Sequence, residues 1–327
     1  METNLKTMNK KNLDAAWNLI KNSKKITLLT HFKPDGDAIG SCGALETFLE
    51  NCISEIGEKQ IETVYPTPPE IETQYASKNV FINSFKQMPD LLIALDTSTY
   101  SRLFFPKEFL NIPFINIDHH ISSDIKPTIN FLEPLSSACE LLFDILDKFN
   151  SEKIDKVVAT KLLFGILSDS KIFKTQSTTT NTLQVATTLM GKGADLYKLQ
   201  AEILATKTPA MLQFWGELLN KLKSTSDSKI IWSTVKKEDF KKYNLTSTAL
   251  VGFINLVSDI STSELAILIY ENEDNMVQVS FRSKNMDVNK LASNFGGGGH
   301  KNAAGLITSK KLELVEKDIL NFLNVDA

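Results

Sequence analysis

Short apolar runs that stop abruptly at acidic or imidazole side chains set the pattern of the first half of the chain. Ile26 to Thr30 leads into HFKPDGDAIGS, Leu91 to Leu95 into Asp96, Thr97 and Ser98, and Phe114 to Ile117 into Asp118, His119 and His120. Apolar runs of this length, bounded by turn residues, predict buried strands. Around them the apolar period changes. Leu13, Ala16, Trp17 and Ile20 recur at three- and four-residue spacing, which predicts an amphipathic helix over 9–22. Further helices are expected over 38–50, 137–149, 154–168 and 181–190. Val64 to Glu72 contains three prolines and reads as an irregular connection or an edge. Strand, polar loop, helix is the arrangement that delivers ligand-binding groups to the carboxyl ends of strands in an α/β sheet.

The second half repeats the mixture on a smaller scale. Strands are expected at Ile230 to Val235, Leu265 to Tyr270 and Met276 to Arg282, with helices over 209–223, 247–257, 287–294 and 309–324. Between the halves, MGKGADLYKLQAEILATKTP reads as a connector with a helical turn. The expected organisation is a domain over 1–190, a linker over 191–206 and a smaller α/β domain over 207–327.

Composition narrows the function classes. A length of 327 residues, with 42% hydrophobic and 23% charged residues, suits two soluble domains that each bury a core. The net charge of -3 and pI of about 5.9 leave no general basic field for long nucleic acid. Cys42, Cys52 and Cys139 are odd in number and lack CxxC spacing, which argues against a disulfide framework or a thiolate zinc site. The polar amino terminus has no signal-peptide core, and no apolar run approaches the ~20 residues that span a bilayer, so a soluble cytoplasmic protein is expected.

The chain has only four histidines, and each lies among reactive neighbours. His31 shares a loop with Asp35 and Asp37, His119 and His120 follow Asp118, and His300 ends FGGGGH. Asp96 closes one strand, and Asp169 lies at the end of a helix. Taken singly, PDGD is equally a polar turn, and Asp96 or Asp169 a cap. Adjacent histidines after a buried strand are harder to place without partners. Carboxylates and imidazoles without thiolates favour manganese or magnesium over structural zinc. Two such ions ~3.5–4 Å apart, bridged by one carboxylate, activate water and stabilise the oxygens of a phosphoryl displacement. Farther along, Arg282 is a fork for phosphate, the glycine run lets backbone amides approach an anion, and His300 could donate to a phosphoryl oxygen.

With these motifs in order, the chain resembles the DHH and DHHA1 phosphoesterases, most closely the stand-alone bacterial members that degrade nanoRNA and hydrolyse pAp. HFKPDGDAIGS, LDTST, IDHH and GILSDSKIF resemble the first four motifs, and FRSK with FGGGGHKNAAG the DHHA1 signature. The resemblance implies a mainly parallel sheet flanked by helices in the larger domain, with the DHHA1 domain facing it across a cleft. It implies two Mn2+, or Mg2+ or another divalent ion. His31 and Asp35 would bind one, Asp37, His119 and Asp169 the other, and Asp96 would bridge them. Asp118 would orient His119, and His120 would face the substrate phosphate or leaving group. Arg282, His300, Gly297, Gly298 and Gly299 would hold the terminal phosphate or nucleotide. The expected activity is hydrolysis of short oligonucleotides to mononucleotides, with 3'-phosphatase action on pAp, in a monomer or homodimer. Cyclic di-AMP or pApA is the alternative substrate, and a non-catalytic nucleotide-binding regulator the alternative class.

Overall fold

The computed structural model describes residues 9–69, 74–204 and 207–325. The chain divides into two compact units, 1–205 and 206–327. Part of the expected connection over Val64–Glu72 and the end of the expected 191–206 linker lie outside the described residues.

In the first unit α1 (Lys10–Asn22) leads to β1 (Lys25–Leu29), α2 (Gly36–Asn51) and the short α3 (Ile53–Ile56). Then come β2 (Gln60–Tyr65), β3 (Val80–Ile82), β4 (Leu91–Leu95), β5 (Phe114–Asp118) and β6 (Ile129–Leu132). Four helices complete the unit: α4 (Ala138–Asn150), α5 (Lys156–Asp169), α6 (Thr180–Gly191) and α7 (Leu196–Leu204). The sheet order is β3-β2-β1-β4-β5-β6, and every pairing is parallel. The direction of winding reverses between β1 and β4, and such a switch point opens a crevice at the carboxyl ends of the strands.

The apolar runs of the central strands reflect burial on both faces. Leu28, Ile93, Leu95, Ile115 and Ile117 join the core formed with α1, α2, α4 and α5. Their neighbours Leu29, Leu92, Ala94 and Phe114 face the other way, onto Leu103, Phe109 and Ile125 with a rim of Phe81, Phe85, Tyr100, Phe104 and Phe105. Helices thus cover one face, and aromatic turns cover the other.

Three strands were not apparent in the sequence pattern. β2 carries Glu62 and Thr63 among its buried residues, which hides its apolar character, while β3 and β6 are short and partly exposed. Thr27 donates to the Glu62 carboxylate at 2.9 Å across the β1–β2 pair, so this buried acid is hydrogen-bonded. α7 is a full helix rather than a single turn, and its Leu199 is buried in the core of the first unit.

The second unit holds α8 (Pro209–Asn220), β7 (Lys223–Ser224), β8 (Ile230–Val235), α9 (Lys237–Lys241), α10 (Phe253–Ser258), β9 (Leu265–Glu271) and β10 (Val277–Ser283). α11 (Val288–Ser293), β11 (Gly298–His300), β12 (Ala303–Thr308) and α12 (Leu312–Phe322) follow. Its mixed sheet runs β11-β12-β10-β9-β8-β7, with only β8 and β9 parallel. The helix expected over 247–257 is interrupted at Gly252, whose φ of 87° lies in the left-handed region. The glycine run ends as an edge strand. A Cβ on Gly297 would lie 2.2 Å from the Gly305 carbonyl oxygen, and one on Gly299 2.6 Å from that of Ala303. These two glycines are required by the β11–β12 pairing itself, whereas Gly298 faces open space apart from Asn289 at 3.8 Å.

Candidate active site

All six acids and imidazoles expected to bind metal converge at the carboxyl edge of the first sheet. His31 lies just past β1, Asp96 follows β4, and His119 follows β5. Asp35 caps α2, accepting from the Asp37 and Ala38 amides at 3.0 and 3.2 Å, which places Asp37 in the first helical turn. Asp169 is the last residue of α5, and close packing of α2 on α5 brings it to the others. A Cβ on Gly40 would lie 2.8 Å from the Lys161 carbonyl oxygen, so small residues set how near these helices approach.

Two sets of three share no member, and a third, Asp96, His119 and His120, overlaps both. His31, Asp35 and Asp96 offer ligand atoms all within 4.8 Å of one another, as do Asp37, His119 and Asp169. Asp96 lies between them. Its Oδ2 is 3.3 Å from His31 Nε2, and its Oδ1 is 3.4 Å from His119 Nε2. His119 Nε2 is also 3.6 Å from Asp169 Oδ2. Both imidazoles are aimed by their other nitrogen: Nδ1 of His31 meets the Phe32 carbonyl at 2.8 Å, and Nδ1 of His119 meets that of Leu135 at 3.2 Å. This is how metal-binding imidazoles are normally oriented, leaving Nε2 to face the ion. Asp96 has a φ of 55°, a conformation uncommon outside glycine but least costly for Asp and Asn. Its amide is held by the Ile117 carbonyl at 3.0 Å, which ties the end of β4 to β5.

The electrostatics call for a cation. Burial, with Asp96 and then Asp169 and Asp35 nearby, pushes the Asp37 carboxyl well up against the pull of His119. Burial likewise raises Asp169 to about 6, with Asp96 and Asp35 adding to the effect and His119 opposing it. Burial opposes charge on His31 and His119 as well, but the carboxylates outweigh it and raise both to about 10. Asp96 is held well below the usual carboxylate range, because hydrogen bonding to His119 and His31 overcomes its burial. Four carboxylates around two imidazoles form an oxygen-rich donor set that fits hard divalent ions. Two cations would relieve the repulsion that now keeps protons on the cluster.

Asp118 departs from the expected arrangement. It pairs with His120, Oδ1 to Nδ1 at 2.6 Å, and not with His119. The cause is the period of the extended chain. Residues two apart point to the same side, so 118 and 120 face each other while 119 faces away. Asp118 is fully buried, with Oδ2 lacking a partner among the described residues. The His120 side chain remains 27% exposed, with Nε2 available to a ligand.

In the second unit, Arg282 on β10 and His300 on β11 both stand opposite Ala303 on β12. Directly paired residues share a face of the sheet, and two inter-strand spacings put Arg282 and His300 roughly 10 Å apart. Nε of Arg282 donates to Asn255 Oδ1 at 3.1 Å and Nη1 to the Phe281 carbonyl at 3.0 Å, so the guanidinium is partly held before any ligand arrives. His300 is exposed.

Sequence reasoning overlooked Asn255, the Leu135 carbonyl and Glu140. The last was signalled by the S-x-x-E spacing of Ser137 and Glu140 at the start of a helix. Glu140 is buried and accepts from Ser136, Asn181 and Thr182. A further surprise follows Asp169, where Lys171, Ile172 and Phe173 have φ values of 48°, 60° and 63°. Three successive left-handed residues make a strained reversal at the edge of the site.

A parallel sheet with its switch point loaded by Asp and His, joined to a second unit carrying FRSK and a GGGGH edge strand, defines a phosphoesterase of the DHH type. The family model described as the DHH family, N-terminal domain, matches residues 25–166, and that described as the DHHA1 domain matches 227–324. The chain belongs to the DHH/DHHA1 family and is a hydrolase of phosphoester bonds.

Among its relatives, the bifunctional oligoribonuclease and PAP phosphatase NrnA of Mycoplasma genitalium is 26% identical over 93% of this chain and 95% of its own length. The Bacillus subtilis protein of the same name is 26% identical over 86% and 88%. An exopolyphosphatase-related protein from Bacteroides fragilis shares the fold, with a TM-score of 0.86, 24% identity and 97% of each chain covered. No helix among the described residues is long and apolar enough to cross a membrane.

Proposed function

We propose that this protein hydrolyses short oligonucleotides to mononucleotides in the presence of two Mn2+, and removes the 3'-phosphate of pAp. The observation that carries the proposal is the division of the two ligand sets by Asp96, one oxygen toward each imidazole. The names of the NrnA relatives support the substrate class.

His31, Asp35 and Asp96 would hold one ion, and Asp37, His119, Asp169 and Asp96 the other. When bound, such a pair lowers the pKa of water and stabilises the oxygens of an in-line phosphoryl displacement. The chain's own residues supply the rest. Asp118 accepts Nδ1–H of His120, so the imidazolium form of His120 would present Nε2–H to the departing oxygen and be left as neutral imidazole. Arg282, already braced by Asn255, would engage a phosphate of the substrate, with His300 and Gly298 beside it on the same sheet. A net charge of -3 suits a short substrate, because a long one gains from an extended basic track.

The test is a panel of a 5'-phosphorylated dinucleotide, pAp, pApA, cyclic di-AMP and a 24-mer, each with Mn2+. Fastest turnover on dinucleotides and pAp is expected. Fastest cleavage of cyclic di-AMP would overturn the substrate assignment, and no hydrolysis of any member would overturn the enzymatic one.

A further inference from the structure

The buried carboxylate of Glu140 ties the start of α4 to the start of α6, and it also grips the peptide that aims His119. Glu140 Oε2 accepts the Ser136 amide at 3.1 Å and also the Ser136 hydroxyl. The Ser136 N–H belongs to the same planar unit as the Leu135 carbonyl. That carbonyl accepts Nδ1–H of His119 at 3.2 Å. The chain of contacts therefore runs from carboxylate to peptide N–H, through the peptide to its C=O, and on to imidazole Nδ1, leaving Nε2 toward Asp96 and Asp169.

The helical turn that carries Glu140 also holds a second ligand. Glu140 stands in the first turn of α4, where its own amide donates to the Ser137 side chain at 3.0 Å. The two amides just before it, of Ala138 and Cys139, donate to Asp37 Oδ2 and Oδ1 at 2.6 and 3.0 Å. Anchoring the carboxylate from the far side are Asn181 Nδ2 at 2.8 Å and Thr182 Oγ1 at 2.9 Å, both at the start of α6. Four donors around two oxygens suit an acceptor-only carboxylate.

Resting on the two-ion reading above, we infer that Glu140 is a positioning residue for one of the two cation sites, the one formed by Asp37, His119 and Asp169. Through the Leu135–Ser136 peptide it fills the place that a carboxylate commonly takes directly behind a metal-binding imidazole. It orients His119 by the peptide plane and polarises the peptide so that its carbonyl is a stronger acceptor. No contact links Glu140 to Phe32, whose carbonyl aims His31, or to Asp35. The effect is therefore selective. Removal of Glu140 weakens one site and spares the other.

The experiment titrates Mn2+ into the full-length protein, its Glu140→Gln variant and its Glu140→Ala variant, counting bound ions by equilibrium dialysis. In parallel, the Nδ1–H resonance of His119 is followed in the metal-free proteins. Wild type should bind two ions. Glu140→Ala should lose affinity for one by about 10–100-fold, the range for removing such outer partners. Glu140→Gln should weaken the same ion by less, because one amide oxygen still accepts from Ser136, and the His119 proton should move upfield in both variants. A change in thermal stability alone would not shift that resonance or single out one ion. Equal weakening of both ions, or an unshifted His119 proton with unchanged affinity, would overturn the inference. Should Glu140→Ala fail to fold, Glu140→Gln alone decides. Wild type binding fewer than two ions would instead overturn the two-ion reading, and two ions without hydrolysis of short oligonucleotides would overturn only the substrate class.

Discussion

Asp96 presents one oxygen to each imidazole, so at the scale of a residue it is the side chain that both proposed ion sites would share. Asp96→Ala is expected to abolish hydrolysis and bring bound Mn2+ below one per chain by dialysis, whereas loss of Asp35 alone should leave the other ion. Protons give a second measure. His31 and His119, raised to about 10 in the metal-free protein, carry protons at pH 8 and must shed them to bind a cation. Binding should therefore release protons at pH 8, read by calorimetry in buffers of different ionisation enthalpy. Because those protons compete with the ion, affinity should fall as pH is lowered, and more steeply below 6, where Asp169 is also protonated. For His120 the expectation is kinetic. Asp118→Asn should keep both ions and lower kcat by roughly 10²–10⁴-fold if His120 supplies the leaving-group proton.

At the scale of elements, the strand ends were legible because β1, β4 and β5 are buried on both faces, leaving unbroken apolar runs that stop at the crevice. Those runs located His31, Asp96 and His119 without any view of the fold. β2 escaped notice because Glu62 and Thr63 sit buried within it, satisfied by Thr27, Lys86 and Ser77 that only the folded sheet supplies. The pairing of Asp118 with His120 could have been read from the two-residue period of an extended chain. The peptide relay from Glu140 could not, since it depends on where α4 lands relative to β5. Helix contact is equally exacting at Gly165, where a Cβ would lie 2.2 Å from Cys139 Sγ and 2.9 Å from Asp37 Oδ1. Gly165→Ala should destabilise the protein by about 1–3 kcal/mol, as overpacked cores do, and weaken the ion held by Asp37 more than its neighbour. Chemical denaturation and dialysis would separate these two effects.

At the scale of the whole molecule, the groups proposed for ions all lie between His31 and Asp169 in the first unit, and those proposed for phosphate recognition in the second. Arg282→Ala should accordingly raise KM for dinucleotides while leaving Mn2+ stoichiometry unchanged. Ions in the crevice at the carboxyl edge of the first sheet would also bear on stability. Together the two proposed ions would join β1, β4, β5, α2 and α5, chain segments remote in sequence, and so act as cross-links that exist only in the folded state. Binding to the native form alone adds about 2.7 kcal/mol when the free ion is a hundredfold above its Kd. In calorimetry, Mn2+ should lift the melting of residues 1–205 and leave that of 206–327 where it was, so that a chelator lowers the stability of the first unit alone.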